Sequence, residues 1–235
     1  MNKIIIIGGG LTGLSCAFKL IQMEIPPSNI TIFEARQEIG SPTRSPGIAK
    51  KSKNVEILFD KIKLQPLTLL NLENNIFTFR REWLEKSLSI YLTKLGCKIN
   101  LKTTITELLI NKFEEDEIII NCAGFKRKSS GFPADFTNFT NSKKSMIKSN
   151  QQKLIQWNGY LSIKNEENKF NEKYISINKK DNLNEIWTCN TEEQNTDNKF
   201  IEVIKSYFPT SSNEILANNT IDRGFLLANK IKKEI

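Results

Sequence analysis

The sequence predicts an α/β protein that has a parallel sheet in its first half and a small, mostly antiparallel β region in its second. A strand is predicted over 3–7, because the β-branched run of four isoleucines at 4–7 is typical of a strand buried on both faces. Apolar residues at helical spacing follow over 11–24, and a second short buried strand follows at 30–33, so the chain opens with one β-α-β unit. Between 126 and 200 the composition shifts to Asn, Lys, Glu and Ser, with only short strand-like segments.

Apolar residues at helical spacing also predict the helices after this unit. The clearest prediction covers 81–95, where Leu84, Leu88 and Leu92 share one face and Gly96 ends the helix. Shorter helices are predicted over 55–62, 200–208 and 223–233.

Runs of β-branched and aromatic residues predict the remaining strands. The run at 117–122 has an apolar centre and ends at the turn Ala123-Gly124. Further strands are predicted over 97–101, 104–110, 160–163, 174–177 and 186–189. The stretch 40–47 contains two glycines and two prolines, and we expect it to be a loop.

Composition narrows the class of protein. The net charge of +8 comes mostly from lysines that are scattered or in short clusters, whereas nucleic-acid binders more often interleave basic and aromatic residues along a stripe. We therefore predict no nucleic-acid partner. No apolar run approaches the roughly 20 residues that cross a bilayer, so no transmembrane segment is predicted and the expected location is the cytoplasm.

The cysteine and histidine content excludes several kinds of site. The four cysteines form no C-x-x-C pair, so neither a zinc knuckle nor a thioredoxin-type dithiol is indicated. Histidine is absent, which removes histidine metal ligands and Ser-His hydrolysis. No metal site is predicted.

The motif Gly8-x-Gly10-x-x-Gly13 lies between the first strand and the first helix. In such a motif the first glycine permits a tight turn, the second lets the backbone approach a pyrophosphate, and the third lets the helix pack closely on the strand. The helix that starts at Leu11 and Thr12 presents N–H groups and a partial positive charge to phosphates. The motif predicts a Rossmann-like dinucleotide site.

Glu34 ends the second strand, roughly 20 positions after Gly13, where a carboxylate that binds a ribose hydroxyl is expected. The alternative is a glycine turn in an ordinary α/β protein with Glu34 at the surface. The agreement of strand, glycine motif, helix, second strand and acid favours the dinucleotide site.

Ile4 to Arg36 resembles the start of the glutathione-reductase-type FAD-binding fold, a group that includes aromatic hydroxylases, geranylgeranyl-reductase-like enzymes and amine oxidases. The resemblance implies FAD as the cofactor, with Glu34, Ala35 and Arg36 lying against it. It also implies a domain order in which 1–124 and 207–235 bind FAD and 125–206 form a small substrate or cap region.

The same resemblance extends to later segments. Arg81, which opens a helix after a strand-like segment at 76–79, resembles the arginine that contacts the cofactor phosphates, and Arg80 is the alternative. Arg44 lies where some hydroxylase-like members place a cofactor-contacting arginine. Ile105 is implied as an adenine contact, and Ala123-Gly124 as the turn beside the dinucleotide.

One departure from the family pattern keeps the function open. The late Gly-Asp motif that contacts the ribityl chain is not visible, and the segment Asp222-Arg223-Gly224 is its only candidate remnant. No catalytic side chain is identified. The pocket-lining candidates, which are equally interpretable as core aromatics, are Trp157, Tyr160, Tyr174 and Trp187.

Three functions follow. The first is an FAD-dependent oxidoreductase that transfers hydride or electrons between the flavin and an unidentified small or amphipathic substrate. The second is a shortened, catalytically silent relative that keeps FAD as a structural or sensing ligand. The third is an NAD(P)-dependent oxidoreductase. A homo-oligomer, or a partner that completes the active site, is compatible with each.

Overall fold

The computed structural model describes residues 3–42, 44–62, 69–72, 76–106, 109, 111–114, 116–123, 146–147, 155–163, 174–178, 183–189, 200–208 and 215–231. The chain divides into two compact units. The first unit comprises 1–41, 85–150 and 220–235, and the second comprises 42–84 and 151–219. The predicted FAD-binding domain thus contributes residues to both units, and its division from a substrate region stays a prediction.

In the first half of the chain, the described helices lie between single strands or pairs of strands. The strands are β1 (Ile4–Ile7), β2 (Ile30–Phe33), β3 (Ile48–Lys50), β4 (Leu69–Leu72), β5 (Ile76–Phe79), β6 (Lys98–Asn100), β7 (Ile118–Asn121), β8 (Met146–Ile147), β9 (Ile155–Ile163), β10 (Tyr174–Asn178), β11 (Leu183–Thr188) and β12 (Glu202–Phe208). The helices are α1 (Leu11–Gln22), α2 (Lys53–Ile62), α3 (Arg81–Leu95) and α4 (Ala217–Ile231).

The first unit is built on a parallel sheet with the strand order β6-β2-β1-β7-β8. Its centre is β1, which is buried on both faces, as the continuous isoleucine run predicts. Ile5 and Ile7 pack with Ile105 and Ile119 on one side. Ile6 faces α1, because its Cγ2 lies 3.2 Å from the position a Cβ on Gly13 would take.

Helix α1 packs against α3 and α4 within this unit. The ring of Phe18 lies 6.1 Å from that of Tyr91 on α3 and 6.2 Å from that of Phe225 on α4. Gly224 brings α4 close to α1, since a Cβ at this position would lie 2.5 Å from the carbonyl oxygen of Thr12 and 2.9 Å from the backbone nitrogen of Cys16. The close approach therefore requires a residue without a side chain.

Replacing Gly224 with alanine is expected to lower the free energy of unfolding by about 2 kcal/mol, because the added methyl group must push two helix backbones apart. Urea denaturation followed by circular dichroism measures the change. Asn229→Ala, at an exposed position of the same helix, is the control and should stay within about 0.5 kcal/mol. A Gly224→Ala variant as stable as this control would contradict the packing of α1 on α4.

The second unit contains two antiparallel sheets. One has the order β3-β5-β4 and the other the order β10-β11-β9-β12. Trp157 of β9 and Trp187 of β11 are buried together with Ile215 and Leu216. The indole of Trp187 covers Gly159, its cross-strand partner. The predicted α/β class with an additional, mostly antiparallel β region is confirmed.

The predicted helix over 200–208 is wrong, because Glu202–Phe208 forms β12 and pairs with β9. Ile204 and Phe208 both pack against the tryptophan cluster. Residues four apart share a face in a helix and in a strand alike, so this spacing does not distinguish the two. The burial of Ser206 between them shows the two-residue period of a strand.

The predicted strand over 104–110 is also wrong in its described residues, 104–106 and 109, none of which is extended in a sheet. The N–H groups of Lys102 and Thr103 donate to the carbonyls of Arg36 and Glu34. These bonds anchor the segment to the loop after β2. The side chain of Ile105 is buried against Ile5, Ile7 and Ile119. The apolar residues of this segment therefore indicate burial, although the segment is not a strand.

The other described elements lie close to their predicted positions. Strand β9 and helix α4 begin several residues earlier than predicted, and β3, β4 and β8 were not predicted. Within the described residues, no helix combines the length and the apolar character that crossing a membrane requires.

Candidate functional site

The turn that joins β1 to α1 depends on Gly8. Its φ of +106° lies in the region that side chains rarely adopt. Its N–H donates to the carbonyl of Phe33 at 2.8 Å, which ties the turn to the end of β2. A Cβ on Gly8 would lie 2.6 Å from the carbonyl oxygen of Cys122, at the end of β7. Three strand ends thus converge on this turn.

Gly13 lets α1 pack directly on the turn. A Cβ here would lie 2.0 Å from the carbonyl oxygen of Gly8, far inside van der Waals contact. The first turn of α1 is therefore held against the strand ends, as the third glycine of the motif predicts.

Gly10 differs from its neighbours, because a Cβ built on it meets no atom of the described residues within 4 Å, apart from its two chain neighbours. It precedes α1 with φ −74° and ψ 178°, an extended conformation open to any residue. No side chain in the described part of the chain caps the helix, and its first turn carries no acid. The space in front of Gly10 and the N–H groups of Leu11 and Thr12 is thus open to a ligand.

Glu34 is 4% exposed and lies directly beside this loop. Its Oε2 accepts a hydrogen bond from the N–H of Gly9 at 2.8 Å. Its Oε1 accepts from the backbone N–H of Arg36 at 2.9 Å and from Nε of the same residue at 3.0 Å. The Nη2 of Arg36 completes the arrangement at 3.3 Å from Oε2.

The charge on Glu34 is stabilised despite its burial. Burial, the strongest influence, would raise the pKa of this carboxyl, but the hydrogen bonds and positive charge of Arg36, with the N–H of Gly9, outweigh it and hold the pKa below its usual range. Burial also lowers the pKa of Arg36, and the charges of Glu34 and Glu85 together raise it above its usual value. The pair is therefore an ion pair at neutral pH.

Gly9 is a site residue that the sequence analysis missed. A Cβ on it would lie 2.5 Å from Cδ1 of Ile39 and 3.0 Å from Cβ of Glu34, so only glycine lets this carboxylate reach the backbone N–H. The run of three consecutive glycines was the available signal. The carbonyl of Cys122, which closes on Gly8, left no signal in the sequence.

The structure brings together most of the predicted cofactor residues within the first unit. Those that line or adjoin the loop are Gly8, Gly10, Leu11, Thr12, Gly13, Glu34, Ala35, Arg36 and Ala123. The N–H of Ala123 donates to Oδ1 of Asn121 at 3.0 Å, and this bond shapes the turn after β7. Gly124 lies outside the described residues.

The remaining predicted residues have other surroundings. The side chain of Ile105 is buried in the core of the first unit, so any adenine contact would come from its backbone. Arg44 and Arg81 belong to the second unit. The carbonyl of Arg44 accepts a hydrogen bond from Oγ of Ser206 at 2.7 Å, and Arg81 is buried where it opens α3. Their roles toward a cofactor stay predictions.

The aromatic pocket candidates lie in the second unit. Trp157 and Trp187 are packed in its core, and Tyr160 is buried against Phe200 with ring centroids 4.7 Å apart. The interpretation as core aromatics therefore describes these three. The side chain of Tyr174 lies outside the described residues.

The loop and its surroundings resemble a known family model. Residues 6–59 match the family model described as an NAD(P)-binding Rossmann-like domain. A search of curated protein sequences gives no match.

Several solved structures share the fold at low sequence identity. A geranylgeranyl bacteriochlorophyll reductase-like protein from Thermoplasma acidophilum is similar with a TM-score of 0.61 and 12% identity, over 99% of this chain and 79% of the other. A mutant of 2-methyl-3-hydroxypyridine-5-carboxylic acid oxygenase also gives 0.61, with 10% identity, over 99% and 83%. A flavoprotein/dehydrogenase from Cytophaga hutchinsonii gives 0.57 with 11% identity, over 98% and 79%. The predicted Rossmann-like nucleotide-binding fold is confirmed.

Proposed function

We propose that this chain binds FAD through the Gly8–Gly13 loop and Glu34, and that it is an FAD-dependent oxidoreductase acting on a small or amphipathic substrate. The observation that carries the proposal is the contrast among the glycines. Gly8, Gly9 and Gly13 are required by contacts within the protein, whereas Gly10 borders open space at the start of α1. Close approach of a pyrophosphate to this backbone would explain why position 10 is a glycine, since no contact within the described protein requires one there.

The chemistry of the surrounding groups fits an adenine dinucleotide. The N–H groups at the start of α1 and the partial positive charge of the helix suit the pyrophosphate. Glu34 is ionised, and its carboxylate suits the hydroxyls of the adenosine ribose. A 2′-phosphate at that ribose would meet the negative charge of Glu34, so FAD fits better than NADP(H).

The preference for FAD over NAD(H) rests on fold likeness. The similar structures include a flavoprotein/dehydrogenase, a reductase-like protein and an oxygenase, and each covers nearly all of this chain. When bound, the flavin would supply hydride and electron transfer, while the chain positions its adenosine and pyrophosphate. The match of 6–59 to an NAD(P)-binding model keeps NAD(H) as the second candidate.

The purified protein is expected to show the visible absorption bands of oxidised flavin, which dithionite bleaches. If the cofactor is lost in purification, titration of the apoprotein with FAD should restore the bands and quench the flavin fluorescence. The Gly10→Val variant, purified in parallel, is the matched control and should remain colourless. Retained flavin that reacts with no reductant except dithionite would favour a structural or sensing role over catalysis.

Two results would contradict the proposal. A folded protein that neither retains nor binds FAD at millimolar concentration excludes the FAD site. Binding of NADH in preference to FAD, measured by the same titration, would assign the loop to the nicotinamide dinucleotide instead. Circular dichroism of the apoprotein establishes that the fold is intact in either case.

A further inference from the structure

We propose that Arg36 is a positioning residue for the adenosine ribose, which holds the Glu34 carboxylate ionised and correctly oriented and does not itself contact the cofactor. This inference rests on the proposed dinucleotide site and concerns the same loop. It assigns Arg36 a role that acts through Glu34, in place of the direct contact that the family resemblance implies.

Hydrogen bonds fix the position of the Glu34 carboxylate. Four donors reach the two oxygens of Glu34, namely the N–H of Gly9 and the N–H, Nε and Nη2 of Arg36. An ionised carboxylate has about four acceptor sites, so three short bonds of 2.8 to 3.0 Å fix its plane and direction. The bond from Nη2 is longer, at 3.3 Å, and is the one that a ribose hydroxyl would replace at least cost.

Most of the hydrogen-bonding groups of Arg36 that the structure describes already donate to Glu34. Its side chain is 28% exposed, and its Nε and Nη2 both donate to Glu34. The other charged group that faces it among the described residues is Glu85 on α3. Two of the three guanidinium nitrogens of Arg36 therefore face the Glu34 carboxylate, and its positive charge stabilises that carboxylate.

Arg36 also stabilises the ionised form of Glu34. Burial is the strongest influence on Glu34 and raises the pKa of its carboxyl, while the strongest opposing influence is Arg36. Without that side chain only backbone N–H bonds oppose burial, and we expect the pKa to rise above its usual value. The variant carboxyl would then take up a proton at a higher pH than the native one does, and it would lose acceptor capacity as the pH falls.

A double-mutant cycle tests this inference, using dissociation constants for FAD at pH 8 and pH 5. The native protein should bind equally at both pH values. Glu34→Gln should bind about 10- to 100-fold more weakly, the worth of a hydrogen bond to a charged group, with no dependence on pH. Arg36→Gln should lose affinity as the pH falls and approach the Glu34→Gln value at pH 5. The double variant should match Glu34→Gln within about twofold.

The controls separate charge from position. Lys98→Gln removes one exposed positive charge on β6 and should leave the affinity and its pH profile unchanged. Arg36→Lys keeps the charge but loses the paired donors, so its affinity should lie between those of the native protein and Arg36→Gln. If Arg36→Gln does not fold, Arg36→Met, which also removes the charge, replaces it in the cycle.

The outcomes are distinguishable. If Arg36→Gln weakens binding by the same factor at both pH values and its effect multiplies with that of Glu34→Gln, Arg36 contacts the cofactor directly and the inference is overturned while the proposed function stands. If the native protein binds no FAD but binds NADH, the same cycle applies, because the adenosine ribose is common to both. If it binds neither, both proposals fall.

Discussion

The Gly13→Ala variant is expected to lose about 3 kcal/mol of unfolding free energy, at the upper end of what overpacking costs. The added methyl carbon would lie 2.0 Å from the backbone carbonyl oxygen of Gly8, and it cannot rotate away because the backbone fixes the position of a Cβ. Relief requires α1 to move off the turn, which also disturbs its contact with Ile6. In a chain of this size such a loss lowers the melting temperature by roughly 6 to 12 °C.

Thermal denaturation of the apoprotein, followed by circular dichroism, measures this loss. Gly10→Ala is the matched control, since it adds the same methyl group three residues earlier, where the described part of the chain places no atom within 4 Å except those of the adjoining residues. It should unfold within about 1 kcal/mol of the native protein, the cost of alanine in place of glycine before a helix. Equal stability of the two variants would contradict the packing of α1 on the turn.

Gly10→Val is expected to give the opposite result, a stable protein that has lost its dinucleotide. Its extended φ and ψ suit a β-branched residue, and the side chain enters open space, so the fold should persist. The same side chain would occupy the approach of the pyrophosphate. Losing two hydrogen bonds to a charged group costs about 3 to 6 kcal/mol, which exceeds a 100-fold loss of affinity.

Fluorescence titration with FAD measures this affinity, and the thermal unfolding curve of the same preparation reports the fold. Native-like affinity in a folded Gly10→Val protein would place the phosphates elsewhere. The contrast between positions 10 and 13 therefore separates the glycine that serves the ligand from the glycine that serves the helix.

Local pattern was sufficient where one element dictates its own geometry. The isoleucine run at 4–7 predicts a buried strand. The leucines of α3 recur at helical spacing and share one buried face. The glycine motif and Glu34 were recognisable because their spacing follows from one β-α-β unit. The glycine motif and Glu34 lie within the first 36 residues, so tertiary contacts had little to override there.

Pattern failed where two geometries bury the same residues. The spacing of Ile204 and Phe208 fits a helix as well as a strand, and only pairing with β9 makes the segment β12. Ile105 is apolar because it covers the parallel sheet, although its segment is a loop held by hydrogen bonds to residues 34 and 36. Pairing across the sheet decided the first case, and hydrogen bonds to the segment after β2 decided the second.

By itself, the sequence determined the parallel α/β fold and the place of the loop between Gly8 and Gly13. It also named Glu34 as the acid at the end of β2, because these features depend on residues close together in the chain. The tertiary structure alone decided which glycine faces open space, which glycines are pressed against Cys122, Glu34 and Gly8, and that Arg36 turns back onto Glu34. The reason is physical: a spacing rule identifies which residues meet, whereas burial and the surrounding atoms fix what each of them touches.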